Sequence, residues 1–161
     1  MNSLLKTADR LYALFLRIAN GLQTPLLLVV RLYWGWQFFT AGWGKITNIQ
    51  KPIDYFQQLG IPAPVLNAYF VSALEVAGGV LLIVGLGSRL IALPLAIDML
   101  AAFWFAEREA LGSIFSDSDK FLAAAPLTFL VASLVVLAFG PGWLSLDTLA
   151  SRWFEKRKTS Q

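Results

Sequence analysis

Apolar residues are concentrated in four windows of the chain, over residues 25–43, 65–86, 90–105 and 121–139. A helix rises ~1.5 Å per residue, so about 20 residues cross the ~30 Å hydrocarbon core of a bilayer. The pattern therefore predicts an all-α, polytopic membrane protein. We expect four transmembrane helices packed as one bundle, in a single membrane domain that covers residues 1–161.

A different pattern precedes the first window. Over residues 3–19, apolar side chains recur at helical spacing from Leu4 to Ile18, and the charged side chains take other directions. This pattern predicts a basic amphipathic helix lying at the membrane interface. A signal peptide is the rejected alternative, because the charges leave no uninterrupted apolar core and no small-residue cleavage site follows. We expect this helix to end at Asn20-Gly21.

Composition agrees with a membrane location and excludes several kinds of chemistry. Only 14% of the 161 residues are charged, and the mean hydropathy is +0.63, whereas soluble domains have about 25% charged residues. The chain contains neither cysteine nor histidine. Thiolate chemistry, iron–sulfur clusters and imidazole metal ligands are therefore excluded, and no metal site is predicted. Any electron carrier would be a non-covalently bound quinone or would belong to a partner subunit.

The basic residues predict an orientation. Eight of them fall on the side of the predicted bundle that holds the termini, and four fall on the other side. The positive-inside rule then places both termini in the cytoplasm, with residues 147–161 as a basic tail, in a bacterial-type inner membrane. The first group is Lys6, Arg10, Arg17, Arg89, Arg152, Lys156, Arg157 and Lys158, and the second is Lys45, Lys51, Arg108 and Lys120. Charge of this kind indicates membrane topology and not nucleic-acid binding.

Three charged residues interrupt the apolar windows: Arg31 in the first, Glu75 in the second and Asp98 in the third. An isolated charge at the bilayer centre costs ~2.5 to 3.5 kcal/mol on translocon scales, so such residues face the bundle interior and pair. Alternating helix directions put all three at similar depth. We therefore expect one buried Arg/Glu/Asp cluster, with these residues as catalytic candidates and Lys45 as a second cation.

The residues around these charges give a set of ligand-binding candidates. Small residues beside the charges favour close helix approach or space for a ligand, and the sequence does not separate these two uses. A structural ion pair is the alternative for the cluster, the interfacial aromatic belt is the alternative for Trp43, and a lipid-facing position is the alternative for Gln37. The candidates are Arg31, Gln37, Gly42, Trp43, Lys45, Glu75, Gly79 and Asp98.

Several motifs resemble those of the DoxX family of small four-helix membrane proteins. They are AGWGK at 41–45, LGIP at 59–62, LEVAGGVLLIVGLGSRL at 74–90 and FGPGWLSLD at 139–147, with an intramembrane arginine before them. The resemblance covers residues 24–148. The positions that match the family pattern are Arg31, Gly42, Lys45, Gly60, Pro62, Glu75, Gly79 and Arg89.

The resemblance implies a link to membrane-associated oxidoreductases. Relatives in that family include the quinone-reducing membrane subunit of an archaeal thiosulfate oxidoreductase, and others are linked to redox stress and to the biosynthesis of metal-binding peptides. Three functions stay open for this chain: a quinone-binding oxidoreductase subunit, a non-enzymatic scaffold that anchors an oxidoreductase or biosynthetic enzyme, and a small proton-coupled transporter. The expected partners are the lipid membrane, such an enzyme, and further copies of the chain.

Overall fold

The computed structural model describes residues 2–151, and describes side chains from residue 8 onward. Seven numbered helices, a further helical segment over residues 146–151 and no strand occur within this range. The seven helices are α1 Asn2–Thr47, α2 Gln50–Gln58, α3 Pro64–Val84, α4 Ser88–Phe105, α5 Arg108–Gly112, α6 Ser118–Ala123 and α7 Ala125–Phe139.

The four longest helices pack as a bundle. Helix α1 runs along α3 and α4 along α7, while α3 also contacts α4 and α1 contacts α7. Their shared core contains Phe38, Leu82, Leu95 and Val136, all of which are nearly inaccessible to solvent. The ring of Phe129 on α7 meets that of Phe38 edge-on, with centroids 4.8 Å apart. The all-α bundle predicted from the sequence is confirmed.

The outer surface of this bundle is apolar. Large side chains on all four helices are more than half exposed, including Val29, Phe70, Ile97 and Trp104. Three helical segments are long and apolar enough to cross a membrane: Ala8–Thr47, Pro64–Val84 and Ser88–Phe105. The fourth apolar helix, α7, has 15 residues, which corresponds to about 22 Å. The protein is therefore a membrane protein whose outward apolar side chains face lipid.

The predicted end of the first helix at Asn20-Gly21 is wrong. Helix α1 continues through both residues and through Pro25, and Gly21 does not adopt the positive φ that ends helices at Gly85 and Gly140. The predicted amphipathic segment is thus the first half of the helix that enters the bundle, and its residues 8–23 are exposed. A glycine permits a helix end but does not impose one, since helical φ is equally open to it.

The predicted helix over 121–139 is also wrong in one respect, because the chain leaves helical geometry at Ala124, where φ is −64° and ψ is 122°. Pro126 explains the break. It has no N–H to donate to the carbonyl of Leu122, and its ring clashes with that carbonyl in a continuous helix. Helix α6 therefore ends at Ala123, and α7 begins anew with the proline in its first turn.

The polar connections contain short helices. Helix α2 lies in the 44–64 segment and α5 in the 106–120 segment. The turn that follows α2 uses a positive φ at Gly60 and at Ala63, and Asn67 Nδ2 donates to the Pro62 carbonyl at 2.6 Å. The predicted tail 147–161 lies within the described residues only up to Ser151.

Candidate functional site

Arg31 is buried, with 1% of its surface exposed, and it binds backbone carbonyls. Its Nε donates to Leu82 O at 2.9 Å and its Nη2 to Ile83 O at 3.1 Å. Its Nη1 donates to Leu144 O at 3.1 Å and to Pro141 O. The predicted cluster of Arg31 with Glu75 and Asp98 is therefore wrong, because the guanidinium uses four donors on the end of α3 and on the 141–144 loop.

Helix geometry explains why Arg31 lies apart from the carboxylates. Helices α1 and α3 are antiparallel, with Gly42 against Ser72 and Glu75, and Arg31 lies about 16 Å before Gly42 along α1 at ~1.5 Å per residue. Helical side chains lean toward the N-terminus of their own helix. Arg31 therefore leans further away from Glu75, while Lys45 leans back toward it.

A second polar junction joins the same loop to the turn between α3 and α4. Asp147 accepts hydrogen bonds from Gly87 N at 2.7 Å and from Ser88 N at 3.0 Å, so it caps the first turn of α4. The N–H of Asp147 donates to Gly85 O at 3.0 Å. Arg31 thus connects the FGPGWLSLD segment to the end of α3, and Asp147 connects it to the start of α4. These contacts are structural.

The other intramembrane charges line a cavity at the opposite end of the bundle. Its volume is about 610 Å³, within the range of small-molecule sites. Its walls come from α1, α2, α3, α4 and the turn after α2. Residues that line it are Ala41, Gly44, Lys45, Asn48, Lys51, Pro52, Tyr55, Phe56, Leu59, Ile61, Pro62, Asn67, Val71, Glu75, Asp98, Met99, Ala101, Ala102, Phe105 and Ala106.

Lys45 and Glu75 form an ion pair at the wall of this cavity. Lys45 Nζ lies 2.6 Å from Glu75 Oε1 and 2.6 Å from Oε2. The Glu75 side chain is only 4% exposed, whereas that of Lys45 is 32% exposed. A charged hydrogen bond of this length in a poorly hydrated site is strong, and loss of either partner would leave the other charge unpaired. Lys45 is thus the cation that pairs with Glu75, in agreement with its prediction from the sequence as the second cation of the cluster.

Asp98 is the third charged residue of this wall. It interacts electrostatically with both Glu75 and Lys45. Its Oδ2 is buried and has no hydrogen-bond partner among residues 2–151. A buried oxygen of this kind is costly unless a donor reaches it. The structure thus brings Lys45, Glu75 and Asp98 together in one cavity, which Arg31 does not line.

Four other sequence candidates lie outside the cavity lining. Gly42 and Gly79 lie at the α1–α3 interface, where an added Cβ would come within 2.8 Å of Val76 N and 2.6 Å of Phe39 N respectively. Both therefore allow close helix packing. The Trp43 ring is half exposed and stacks on Phe39, with centroids 6.0 Å apart. Gln37 is half-buried. Gly42 packs against Glu75 within the helix interface, but none of these four residues lines the cavity.

Helix α2 also contributes to the cavity, and this contribution was not predicted from the sequence. Its Tyr55 and Phe56, together with Phe105 at the end of α4, line the cavity. The signal was present in QKPIDYFQQ, a short segment whose apolar residues recur at helical spacing between two predicted spanning helices. A segment of nine residues is too short to be stable as an isolated helix, so this pattern alone does not predict one.

Comparison with known proteins identifies the family. The family model described as DoxX matches residues 26–108. The chain belongs to the DoxX family. This DoxX protein is 32% identical over 127 residues to the inner membrane protein YqjF of Escherichia coli (strain K12). The aligned residues cover 78% of this chain and 92% of YqjF. It is 30% identical over 143 residues to the protein named "Uncharacterized membrane protein Rv3486" of Mycobacterium tuberculosis, 84% of this chain and 88% of that relative.

One relative has a name that refers to a reaction. The protein named "Putative oxidoreductase CatD" of Bacillus subtilis (strain 168) is 32% identical over 75 residues, which is 47% of this DoxX chain and 54% of CatD. No solved structure matches the chain. The DoxX match includes Arg31 and every residue that lines the cavity, whereas the 141–144 loop that binds Arg31 lies beyond the matched residues.

Proposed function

We propose that the protein is a membrane subunit that binds a quinone-type ring in the cavity between α1, α2, α3 and α4 and supports a membrane-associated oxidoreductase. The observation that carries this proposal is the composition of the cavity wall. Lys45, Glu75 and Asp98 lie together on it, and most of the other lining residues are aliphatic or aromatic. A mainly apolar pocket with a few convergent polar groups is typical of sites for small amphipathic ligands.

The charges of the wall favour a neutral ligand. The lining contains two cations, Lys45 and Lys51, and two carboxylates, Glu75 and Asp98. These formal charges balance, so neither a strongly anionic nor a strongly cationic ligand is required for neutrality. A neutral ring with polar oxygens at its edge fits both the charged residues and the aromatic side chains of Tyr55 and Phe105.

The residues of the wall have distinct roles in this proposal. Lys45 uses no more than two of its three hydrogens on Glu75, so one remains to hold a ring oxygen and to stabilise negative charge that develops on it. The Asp98 carboxyl group, which also lines the cavity, holds or releases a proton at the ring edge. A bound quinone would supply the electron-accepting chemistry. Since the chain has no cysteine and no histidine, the second redox partner belongs to another protein.

The expected setting of this function is the inner membrane, with both termini in the cytoplasm. Support comes from the excess of basic residues on the side of the termini and from YqjF, which is named an inner membrane protein. The cavity then lies at the opposite, non-cytoplasmic side of the bundle. The partner is an oxidoreductase or a biosynthetic enzyme that uses the quinone pool.

Binding of a short-chain quinone to purified protein in nanodiscs tests the proposal. The variant is the double substitution Lys45→Met/Glu75→Gln, which removes both charges and leaves neither one buried alone. We expect saturable binding by the wild type and at least about a tenfold weaker affinity for the variant, the loss expected for one charged hydrogen bond. Thermal unfolding of the same samples separates lost binding from lost folding.

Trp43→Phe is the matched control. Trp43 is a large aromatic residue on α1 two residues from Lys45, and it does not line the cavity. Its substitution should leave the affinity unchanged. If the wild type shows no saturable binding, or if the control loses affinity as much as the double variant, the cavity is not the quinone site. A scaffold that recruits a partner enzyme then becomes the better explanation, and co-purification would survive loss of the charges.

A further inference from the structure

The first half of α1 lies outside the bundle. Residues 8–23 are all exposed, and the first buried residue of the helix from Ala8 onward is Leu27. The exposed side chains include large apolar ones, since Leu11, Phe15 and Ile18 are each more than half exposed. Continuous apolar surfaces of this kind mark sites of interaction with protein or membrane. A second surface must therefore cover this part of α1.

Lipid does not reach the whole of this segment. Helix α1 is continuous from Asn2 to Thr47, and its 46 residues correspond to about 69 Å, whereas a bilayer is ~40–45 Å thick with its headgroups. Leu11 lies 16 positions before Leu27, or about 24 Å along the axis. Since the helix has no interruption between them, this segment does not turn to lie flat on the bilayer. The covering surface is therefore protein.

The exposed apolar residues have the spacing of a coiled coil. They are separated alternately by three and four positions, which brings them to one side of the helix. The same side continues into the spanning half with Val29 and Trp36, both more than half exposed. A seven-residue repeat keeps this side facing a partner helix along its length. The residues of the repeat outside the bundle, which we call the seam, are Ala8, Leu11, Phe15, Ile18 and Leu22.

The polar residues of the segment avoid the seam. With Ala8 as position a of the heptad, the charged residues Asp9, Arg10 and Arg17 take positions b and c, and Asn20 takes position f. These positions lie on the side of the helix away from a coiled-coil partner. The seam can therefore be buried without burying a charge, which would be costly.

The bundle lies on the same side as these polar residues. In the same heptad, the buried residues Leu27, Arg31 and Phe38 take positions f, c and c. Ala41 and Lys45, which line the cavity, take positions f and c. Neither the bundle nor the cavity therefore obstructs the seam.

We propose that the seam binds the seam of a second copy of this chain, so that two α1 helices form a parallel coiled coil with two-fold symmetry. Two copies inserted in the same orientation have parallel α1 helices, and a two-fold axis along the membrane normal brings each seam residue against its own equivalent. The seam matches itself in length and is apolar at every a and d position from Ala8 to Leu22. It offers no charge for a partner of another sequence to neutralise. The pairing is independent of the proposed quinone site.

Single cysteines test this arrangement in isolated membranes, because the chain has no cysteine of its own. Ile18→Cys places a thiol on the seam, and Asn20→Cys is the matched control on the opposite side of the same turn. After treatment with a short bismaleimide, we expect Ile18→Cys to give a covalent dimer, with a yield at least about fivefold higher than that of Asn20→Cys. Equal yields, or no dimer from Ile18→Cys, would overturn the proposal. A product of another mass would place a different protein on the seam and would also overturn it.

The mass of the purified protein in a mild detergent is the second test. We expect the wild type to contain two chains of 17.8 kDa. Ile18→Glu should weaken dimerisation at least about tenfold, because it places two like charges in a buried seam. Ala13→Glu adds the same charge at position f and should leave the dimer intact. Residues 8–23 are exposed in a single copy, so both variants should fold, which circular dichroism checks.

The outcomes are separate from those of the quinone test. A monomeric wild type, or a dimer that Ile18→Glu does not weaken, would overturn self-association through the seam and would leave quinone binding in place. Absence of quinone binding would leave the dimer in place. The cross-linking comparison stands even if Ile18→Glu fails to fold.

Discussion

Arg31 donates its Nε hydrogen to the carbonyl oxygen of Leu82, 2.9 Å away, at the end of a helix 51 positions later in the chain. The last carbonyls of a helix have no partner within the helix, and in a membrane they cannot rely on water. The planar guanidinium, with five donors, satisfies such carbonyls on α3 and on the 141–144 loop together. An arginine at membrane depth can thus be a structural residue.

Substitution of Arg31 should destabilise the fold even when the positive charge is kept. Arg31→Lys retains the charge but has no planar fork, so it leaves some of the four carbonyls without a donor. At ~1 to 3 kcal/mol for each unsatisfied buried group, we expect a loss of about 3 kcal/mol, measured by thermal unfolding in detergent. Arg17→Gln on the exposed part of α1 is the control. Wild-type stability of Arg31→Lys would contradict the capping role.

Asp147 should contribute to the stability of α4 in a similar way. Its two carboxylate oxygens bind Gly87 N and Ser88 N, and loss of an N-capping side chain costs ~0.5 to 2 kcal/mol. We expect Asp147→Ala to lower the free energy of unfolding by about 1 to 2 kcal/mol and Asp147→Asn by less, because asparagine keeps one acceptor. Equal stability of the two variants would argue against the cap.

Two glycines of α1 should respond in opposite directions to the same substitution. At Gly42 an added Cβ would lie 2.7 Å from Ser72 O, so Gly42→Ala should separate α1 from α3 and destabilise the protein by about 1 to 3 kcal/mol. At Gly44 nothing lies within 4 Å of the added atom. Gly44→Ala should therefore stabilise α1 by ~0.5 to 1 kcal/mol through helix propensity. Chemical denaturation of both variants provides the comparison, and destabilisation by Gly44→Ala would contradict it.

Outside the membrane-spanning segments, Glu109 and Lys120 form an exposed pair with Nζ and Oε2 2.7 Å apart. The hydrogen bond from Lys120 lowers the pKa of Glu109, and the same bond raises the pKa of Lys120. Ionised Glu109 stabilises the fold at pH values above its ordinary pKa of 4.5, and this stabilisation is lost as the pH falls through the lowered pKa. Protonated Lys120 stabilises the fold at pH values below its ordinary pKa of 10.5, and this stabilisation is lost as the pH rises through the raised pKa. An NMR titration should show the Glu109 pKa return to its ordinary range in Lys120→Gln.

The orientation can be tested with single cysteines, because the chain has none of its own. Ser116 and Ser151 are both exposed, on the connection before α6 and after the 141–144 loop. A membrane-impermeant thiol reagent should label Ser116→Cys in intact cells and label Ser151→Cys only after the membrane is opened. The reverse result would place the termini and the cavity on the sides opposite to those we propose.

Several features could be derived from the sequence because they depend on local pattern. Helices α3 and α4 begin and end within two residues of the windows predicted as 65–86 and 90–105. Their apolar content alone indicated a membrane protein. The break at Ala124 also has a local cause, which is Pro126. It was not predicted because the window was identified by its apolar residues, and apolar character does not show that proline lacks the N–H that a continuous helix needs.

Residue types alone established that Arg31, Glu75 and Asp98 lie in apolar helices and must find partners, because an unpaired charge in hydrocarbon is costly. Which partners they find depends on the packing of the helices. The antiparallel register of α1 and α3 directs Arg31 to the carbonyls of Leu82 and Ile83, and it directs Lys45 to Glu75. Every residue has a backbone carbonyl, whatever its type. Residue types therefore do not show which carbonyls accept hydrogen bonds from Arg31.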